Sequence, residues 1–506
     1  MHDKSVDGTN KLVRTGIAGL DDILRGGLTA NRLYLVEGTP GAGKTTLALQ
    51  FLLEGHRLGE PVTYVTLAET RLELEMVAES HEWDLSGIEI CELVPSEEKL
   101  SPETERTIFH PAEVELGEAT KAMLSAIEKT NPQRIVLDSL SELRMVAQSS
   151  LRYRRQILAL KQYFSGRRCT VLMLDDLTAD SRDAQLHSIA HGVITLEQLN
   201  TEYGAERRRL RVATMRGVAV RGGLHDFMIR TGGLDVFPRL VAAEHHSKFE
   251  EADLPSGNEA LDKLLGGGLL RGTSTLLLGP AGTGKSVLTT MFAIAAAKRG
   301  ERTCLFAFDE GMGTLLSRSR KIGLDLEPHI KSGMISVRQI DPAELSPGEF
   351  IAMIRHAVNE GADQKSGARM IIIDSLNGYM NAMPEENFLI AQLHELLAYL
   401  GQRGVLTLMT VAQAGMVGSM QSPVDTTYLA DNVVLFRFFE ANGQIRRAIS
   451  VVKKRSGPHE RTIREMHISS KGVEIGPALE GYQGVLSGTP RELPGVDDPM
   501  RSPNGR

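Results

Sequence analysis

The chain has 506 residues, 42% of them hydrophobic and 24% charged, a composition that suits folded globular domains and a length too great for one of ordinary size. A formal net charge of −7 argues against a protein that coats nucleic acid by bulk electrostatics, although short basic clusters remain compatible with local binding. Three isolated cysteines (Cys91, Cys169, Cys304) exclude a disulfide framework, and no apolar run reaches the length of a signal core or a membrane span, so the cytoplasm is the expected location.

In chain order, the first feature is Thr15-Gly16-Ile17-Ala18-Gly19-Leu20-Asp21, followed by Gly26-Gly27-Leu28. An apolar strand, Leu33 to Glu37, then runs into Gly38, Thr39, Pro40, Gly41, Ala42, Gly43, Lys44 and Thr45, with Thr46 next in the helical stretch that opens there. In a GxxxxGK[ST] loop the glycines let backbone N–H groups turn inward around phosphates, the lysine neutralises the outer ones, and the Thr or Ser hydroxyl ligates magnesium. A lone match is often only a Gly-rich turn; a match set between a strand and a helix is an ATP-binding expectation. Further strands are expected at Val62 to Leu67, Arg134 to Asp138 and Val171 to Leu174. Asp138 ends its strand in Asp-Ser, where a P-loop enzyme places the acid that holds the magnesium water shell. The polar stretch around Glu244 to Glu251 marks a boundary, giving a first domain over 1–245, a second over 246–485, and a loose, disordered tail over 486–506.

The second domain repeats the first. Ser256-Gly257-Asn258-Glu259-Ala260-Leu261-Asp262 and Gly267-Gly268-Leu269 precede a strand at Thr275 to Leu278 and a second loop of Gly279, Pro280, Ala281, Gly282, Thr283, Gly284, Lys285 and Ser286. Strands follow at Arg302 to Ala307, Met370 to Asp374 and Val405 to Val411, and Asn432 to Phe438 turns at Asn442-Gly443 into Arg447 to Lys453. Lys44 and Lys285, Asp138 and Asp374, and Arg216 and Arg455 recur at nearly one separation, which makes the duplication secure. Short apolar strands alternating with helical stretches predict an α/β fold: two tandem RecA-like P-loop NTPase domains, each a mostly parallel sheet with antiparallel additions. Magnesium in this reading is held by Thr45 and Asp138 in one half and by Ser286 and Asp374 in the other.

The remaining requirement is a base. The strand after the P-loop helix ends in Leu67-Ala68-Glu69 in the first half and in Phe308-Asp309-Glu310 in the second. Glu69, Asp309 and Glu310 are the candidate catalytic acids, with solvated loop acids as the competing reading. No NKxD guanine-reading motif is present, so adenine is the expected base.

These residues resemble the RecA superfamily and, within it, the KaiC family of circadian-clock ATPases and autokinases. The resemblance covers about residues 10–490. It rests on the two P-loops, on Asp431 to Leu435, on Lys453-Lys454-Arg455 with His459 and Ile463 to Met466, on Gly204 to Arg209 and Met215-Arg216-Gly217, and on Gly484 to Pro490. It implies a homohexamer of stacked double rings with ATP between subunits, KaiB-like partners, slow hydrolysis in the first ring, and Ser/Thr autophosphorylation across the interface of the second. The family's Lys-x-Arg pair, which reaches a neighbour's phosphate, matches Lys453 and Arg455; the first half keeps Arg216 but has Thr214 in the lysine's place. The first residue of the family's glutamate pair is assigned to activate the nucleophile. Here that position is Ala68 or Asp309, and losing a general base costs about 10²–10⁴ in rate. A first half that binds ATP and hydrolyses it poorly, unless Glu69 substitutes, is therefore expected. The phosphorylated Ser-Thr pair falls on Thr427-Tyr428, leaving Thr426 and Thr427 as acceptor candidates.

Two further function classes fit parts of the pattern. A DNA-acting RecA-type motor would need a basic loop or accessory module, and aromatics at 5% leave little for base stacking. An ATP-gated, non-catalytic scaffold for signalling partners fits the altered first half and would keep phosphate sites without turnover.

Overall fold

The computed structural model describes residues 11–93, 111–147, 149–177, 184–200, 204–360, 367–381, 389–413, 427–486 and 490–492. The chain divides into two compact units, Met1–Arg239 and Leu240–Arg506. The division precedes the 245/246 boundary read from the sequence, because Leu240 and Ala242 are buried in the second unit's core and the Ala242 amide donates to Glu395. Among the described residues no helix is long and apolar enough to cross a membrane, and all three cysteines are free thiols.

The first unit is built on nine strands: β1 (Leu33–Gly38), β2 (Val62–Thr66), β3 (Glu89–Glu92), β4 (Arg134–Asp138), β5 (Thr170–Asp176), β6 (Gly192–Leu199), β7 (Arg207–Met215), β8 (His225–Arg230) and β9 (Gly233–Phe237). Their order across the sheet is β9-β8-β7-β6-β1-β5-β4-β2-β3. The six from β6 to β3 run parallel, and β7, β8 and β9 add antiparallel at one edge. The parallel strands read as near-continuous apolar runs because helices cover both faces. Along β1, Tyr34 and Val36 pack with the helix Lys44–Arg57, whereas Leu33 and Leu35 face the helices Leu140–Ala147 and Ser150–Ser165.

The second unit repeats the arrangement with β10 (Ser274–Gly279), β11 (Thr303–Ala307), β12 (Ile335–Gln339), β13 (Met370–Asp374), β14 (Leu406–Ala412), β15 (Asn432–Ala441), β16 (Gln444–Lys454), β17 (Arg464–Ser469) and β18 (Gly472–Ala478). The order is β12-β11-β13-β14-β10-β15-β16-β17-β18, again with the last three strands antiparallel. The sequence-expected strands appear at their places, with ends that agree to within one residue for most and with the hairpin strands extended toward the Asn442-Gly443 turn. Asn442 and Gly443, both at positive φ, close the β15–β16 hairpin between paired Ala441 and Gln444, as the Asn-Gly pair predicts. Within 486–506, Arg491–Glu492 pair antiparallel with Tyr482–Gln483; positions 487–489 and 493–506 lie outside the described residues.

The repeated opening motif has a structural role. Thr15 N–H donates to Asp21 Oδ1 at 2.8 Å, and Ser256 N–H donates to Asp262 Oδ1 at 2.7 Å. The second glycine of each Gly-Gly-Leu passes close under the strand before it: a Cβ on Gly27 would sit 2.4 Å from the Val13 carbonyl, and one on Gly268 2.6 Å from that of Leu254.

Candidate active sites

Both P-loops connect a buried strand to a long helix, β1 to Lys44–Arg57 and β10 to Lys285–Lys298, so the free N–H groups of the helix start face the place where phosphates would sit. Gly43 and Gly284 precede these helices at φ 97° and 106°, and a Cβ on either would press on the side chain of Ile229 or of Ile468. Glycine is required there by conformation and by space together.

The two lysines differ. Lys44 Nζ donates to the carbonyls of Gly38 and Thr39 at 3.0 Å and forms an ion pair with Asp176 Oδ1 at 2.7 Å. Lys285 Nζ donates to the carbonyls of Gly279 and Pro280 at 2.7 Å and has no carboxylate partner among the described residues. Burial pushes its ammonium down to about 8, with Asp374 acting in the opposite direction.

Asp138 and Asp374 each end the parallel strand that is separated by one strand from the P-loop strand of its own sheet, and the Asp138–Ser139 and Asp374–Ser375 peptides are both cis. Thr45 Oγ1 is 3.5 Å from Asp138 Oδ2, so a hydroxyl and a carboxylate converge as the hard oxygen donors a magnesium ion takes. Tyr64 also donates to Asp138. Burial raises the Asp138 carboxyl above its ordinary range, opposed by the Tyr64 bond and by Lys44. In the second unit, Asp374 instead accepts from Thr410 Oγ1 at 2.5 Å, and Ser286 shares no hydrogen bond with it.

One backbone bond fixes the candidate bases in both units: Leu67 N–H to the Asp138 carbonyl at 2.6 Å and Phe308 N–H to that of Asp374 at 2.7 Å. Ala68 is therefore level with Asp309, and Glu69 with Glu310. Glu310 is held at both carboxylate oxygens by Arg318, at 3.0 and 2.8 Å. Asp309 accepts from the Ser375 hydroxyl beside Asp374, which makes it the better placed of the two carboxylates. In the first unit Thr66 Oγ1 accepts from the Glu69 amide and donates to its carbonyl, while Glu69 Oε2 is buried with no hydrogen-bond partner among the described residues. Burial pushes Glu69 up to about 7, with Asp138 and Glu73 adding to the rise and Lys44 opposing it.

The three candidate cations lie elsewhere. Val433 pairs with Leu276 on one side and with Lys453 on the other, so Lys453 and Arg455 sit level with the start of β10, at the end of the sheet opposite Gly279. Lys453 Nζ donates to the carbonyls of Thr427 and Ala430 at 2.9 and 2.7 Å; Arg455 reaches the Tyr428 carbonyl and Asp431. Arg216 is likewise remote from Gly38: its amide bonds to the His191 carbonyl beside the start of β1, and its guanidinium donates to the Ser188 carbonyl at 2.6 Å. Thr427 is half-buried in a turn, and Thr426 lies outside the described residues.

The family model for the KaiC ATPase matches the chain twice, over residues 13–241 and 254–480. The chain belongs to the KaiC ATPase family. Among curated relatives, the circadian clock oscillator protein KaiC of Picosynechococcus sp. is 28% identical over 97% of this chain and 94% of its own length. KaiC3 of Synechocystis sp. is 28% identical, covering 97% and 96%, and KaiC of Synechococcus elongatus 28%, covering 95% and 92%. Nucleotide binding follows from membership in this ATPase family.

Within the KaiC frame, motif reading finds the P-loops and the strand-end acids but misses Tyr64, Asp176, Arg318, Ser375 and Thr410. Asp176 had a partial signal, an Asp-Asp pair closing an apolar run, and Arg318 lies only eight residues beyond its partner Glu310; Tyr64, Ser375 and Thr410 meet partners 74, 66 and 36 residues away in the chain.

Proposed function

We propose that this chain hydrolyses Mg-ATP at interfaces between like subunits, arranged as a homohexamer, and that its second unit also phosphorylates Thr426 or Thr427 of a neighbouring copy. The observation that carries this reading is the position of Lys453 and Arg455. They grip the 427–431 segment at the sheet end opposite their own P-loop, so neither they nor Thr427 can serve the nucleotide of their own unit. Both can serve one on a copy docked against that end.

In the proposed step the oxygen of water, or of a threonine hydroxyl, bonds to the γ-phosphorus as the bond to the β,γ-bridging oxygen breaks, and ADP leaves. Asp309 takes the nucleophile's proton, with Glu310 fixed by Arg318 beside it. Lys285 and the neighbour's Lys453 and Arg455 stabilise the developing charge. A magnesium ion held by Ser286 and Asp374, or by Thr45 and Asp138, would neutralise the phosphates. In the first unit Glu69 is the carboxylate available for water. KaiB-like regulators are the partner class that the family suggests.

Incubation of purified protein with magnesium and γ-labelled ATP, with Lys44→Ala and Lys285→Ala alongside, tests the reading. Protein-bound label abolished only by Lys285→Ala supports an autokinase second unit. Released phosphate without protein label reduces the reading to an ATPase. Neither signal would leave the ATP-gated scaffold, which the altered Ala68 and Thr214 positions favour.

A further inference from the structure

At the end of the first unit's sheet remote from the P-loop there is a cavity of about 260 Å³ lined by Arg32, Lys161, His191 and Arg216, together with apolar Phe164 and Cys169. Among the described residues no carboxylate lines it. Each cation meets a backbone carbonyl and, among the described residues, no carboxylate: Lys161 donates to Ile189 at 2.7 Å, Arg216 to Ser188 at 2.6 Å, and Arg32 to Asn31 at 3.1 Å. His191 Nε2 is enclosed and has no hydrogen-bond partner among the described residues. Its imidazole is held below the ordinary histidine range by burial and then by Arg32, Arg216 and Lys161, an electrostatic sign that the cations converge on it.

The second unit provides an internal control. The same two backbone bonds place His191 and Asp431 equivalently: each amide donates to the start of the P-loop strand, at Leu33 or Ser274, and each carbonyl accepts from the arginine amide, Arg216 or Arg455. Arg32 is equivalent to Thr273, whose carbonyls accept from Val171 and Thr407. Lys161 precedes Thr170 as Leu397 precedes Leu406, the two residues that open equivalent strands. The second unit therefore has Thr, Leu and Asp where the first has Arg, Lys and His, and its one arginine is paired with that Asp at 3.5 Å. The duplication has kept the scaffold, and the positive charge of the first unit is neutralised in the second.

We propose that Arg32, Lys161, His191 and Arg216 form a binding site for a phosphate-class anion in the first unit. Gathering three cations and an imidazole around a cavity without a counter-charge is costly, and a polyanion with several acceptor oxygens relieves it. The anion comes either from solution or from a nucleotide seated on a neighbouring copy. Arg216 is also the residue that the family resemblance matches to a cation reaching a neighbour's phosphate, and the other three residues are the site's own.

The test uses the full chain with Lys44→Ala and Lys285→Ala, so that neither P-loop takes phosphate, titrated with inorganic phosphate and pyrophosphate by calorimetry. Saturable binding that weakens about tenfold or more in Lys161→Leu and in His191→Asp, and is kept in Lys161→Arg, supports a site for free anion. The His191 imidazole, followed by NMR, then rises in pKa as the anion binds. If neither anion binds, but ATP added to the P-loop-intact chain raises the His191 pKa in a Lys161-dependent way, the anion is a neighbour's nucleotide. Binding indifferent to all three substitutions, or no binding and no His191 response in either background, overturns the proposal.

Discussion

Lys44 Nζ lies 2.7 Å from Asp176, whereas among the described residues Lys285 meets only carbonyls of its own loop. The register explains the difference. Gly38 pairs with Asp176 across β1 and β5, and Gly279 pairs with Ala412 across β10 and β14. A carboxylate thus occupies the ammonium that ATP phosphates need, and it stands where their charge would come. Asp176→Asn should tighten nucleotide binding at the first P-loop by about tenfold, the scale of one displaced ion pair of about 1.4 kcal/mol. A fluorescent ATP analogue titrated into a Lys285→Ala background measures this. Unchanged or weaker binding would show that Asp176 assists the nucleotide instead.

Glu69 gives the first unit a distinct pH response. Its carboxyl titrates near 7 in the fold against an ordinary 4.5. As a base it must be ionised, so hydrolysis by the first unit should rise with pH through about 7. In Glu69→Gln the rise should vanish and the rate fall by about 10²–10⁴. The stability effect has the opposite sign. The raised folded value means that the native state holds the proton more tightly, so this group's contribution to stability is full below pH 4.5 and is lost as pH rises through 7. Phosphate release against pH in Lys285→Ala, with and without Glu69→Gln, separates catalysis from stability.

The parts of these sites that a sequence reveals are those whose chemistry is local. Lys44, Thr45, Lys285 and Ser286 follow from contiguous loops, and Asp138 and Asp374 from apolar strands ending in Asp-Ser. Lys44 and Asp176 meet only because the chain places β5 beside β1, an adjacency that no local motif encodes. Glu310 reads as a free carboxylate until the helix Met312–Lys321 brings Arg318 onto it. Leu240 and Ala242 follow closely on the first unit's last strand and yet are buried in the second, where the Ala242 amide bonds to Glu395 on the helix Leu389–Gln402.

Arg134 carries a prediction about stability. It is almost fully buried at the start of β4, bonded to Glu60 at 2.6 Å and to the carbonyls of Arg14 and Phe51 at 2.7 and 2.8 Å, with its guanidinium 4.8 Å from the Phe51 ring. Met370 occupies the matching position in the second unit, so the fold tolerates an apolar residue there. Arg134→Met nevertheless strands Glu60, and breaking such a pair costs about 3–5 kcal/mol. Chemical denaturation should show that loss in the first unit's transition alone, and adding Glu60→Gln should recover part of it.

Subunit cooperation is tested most directly by mixing two inactive proteins. Lys285→Ala lacks the second P-loop lysine, and Arg455→Ala lacks the cation at the other end of the sheet; each alone should lose second-unit turnover. Because β10 separates Gly279 from the Arg455 end, one interface needs the P-loop of one chain and the arginine of the next. Head-to-tail ring contacts are of this kind. A random equal mixture would then assemble intact sites at about a quarter of its interfaces, each drawing its P-loop from an Arg455→Ala subunit and its arginine from a Lys285→Ala subunit. Turnover should reappear on mixing after dissociation and reassembly, and not when preassembled rings are combined. If mixtures stay inactive although Arg455→Ala still binds nucleotide at its second P-loop and the two variants are shown to co-assemble, Arg455 acts within its own unit, and the grip of Lys453 and Arg455 on residues 427–431 is structural.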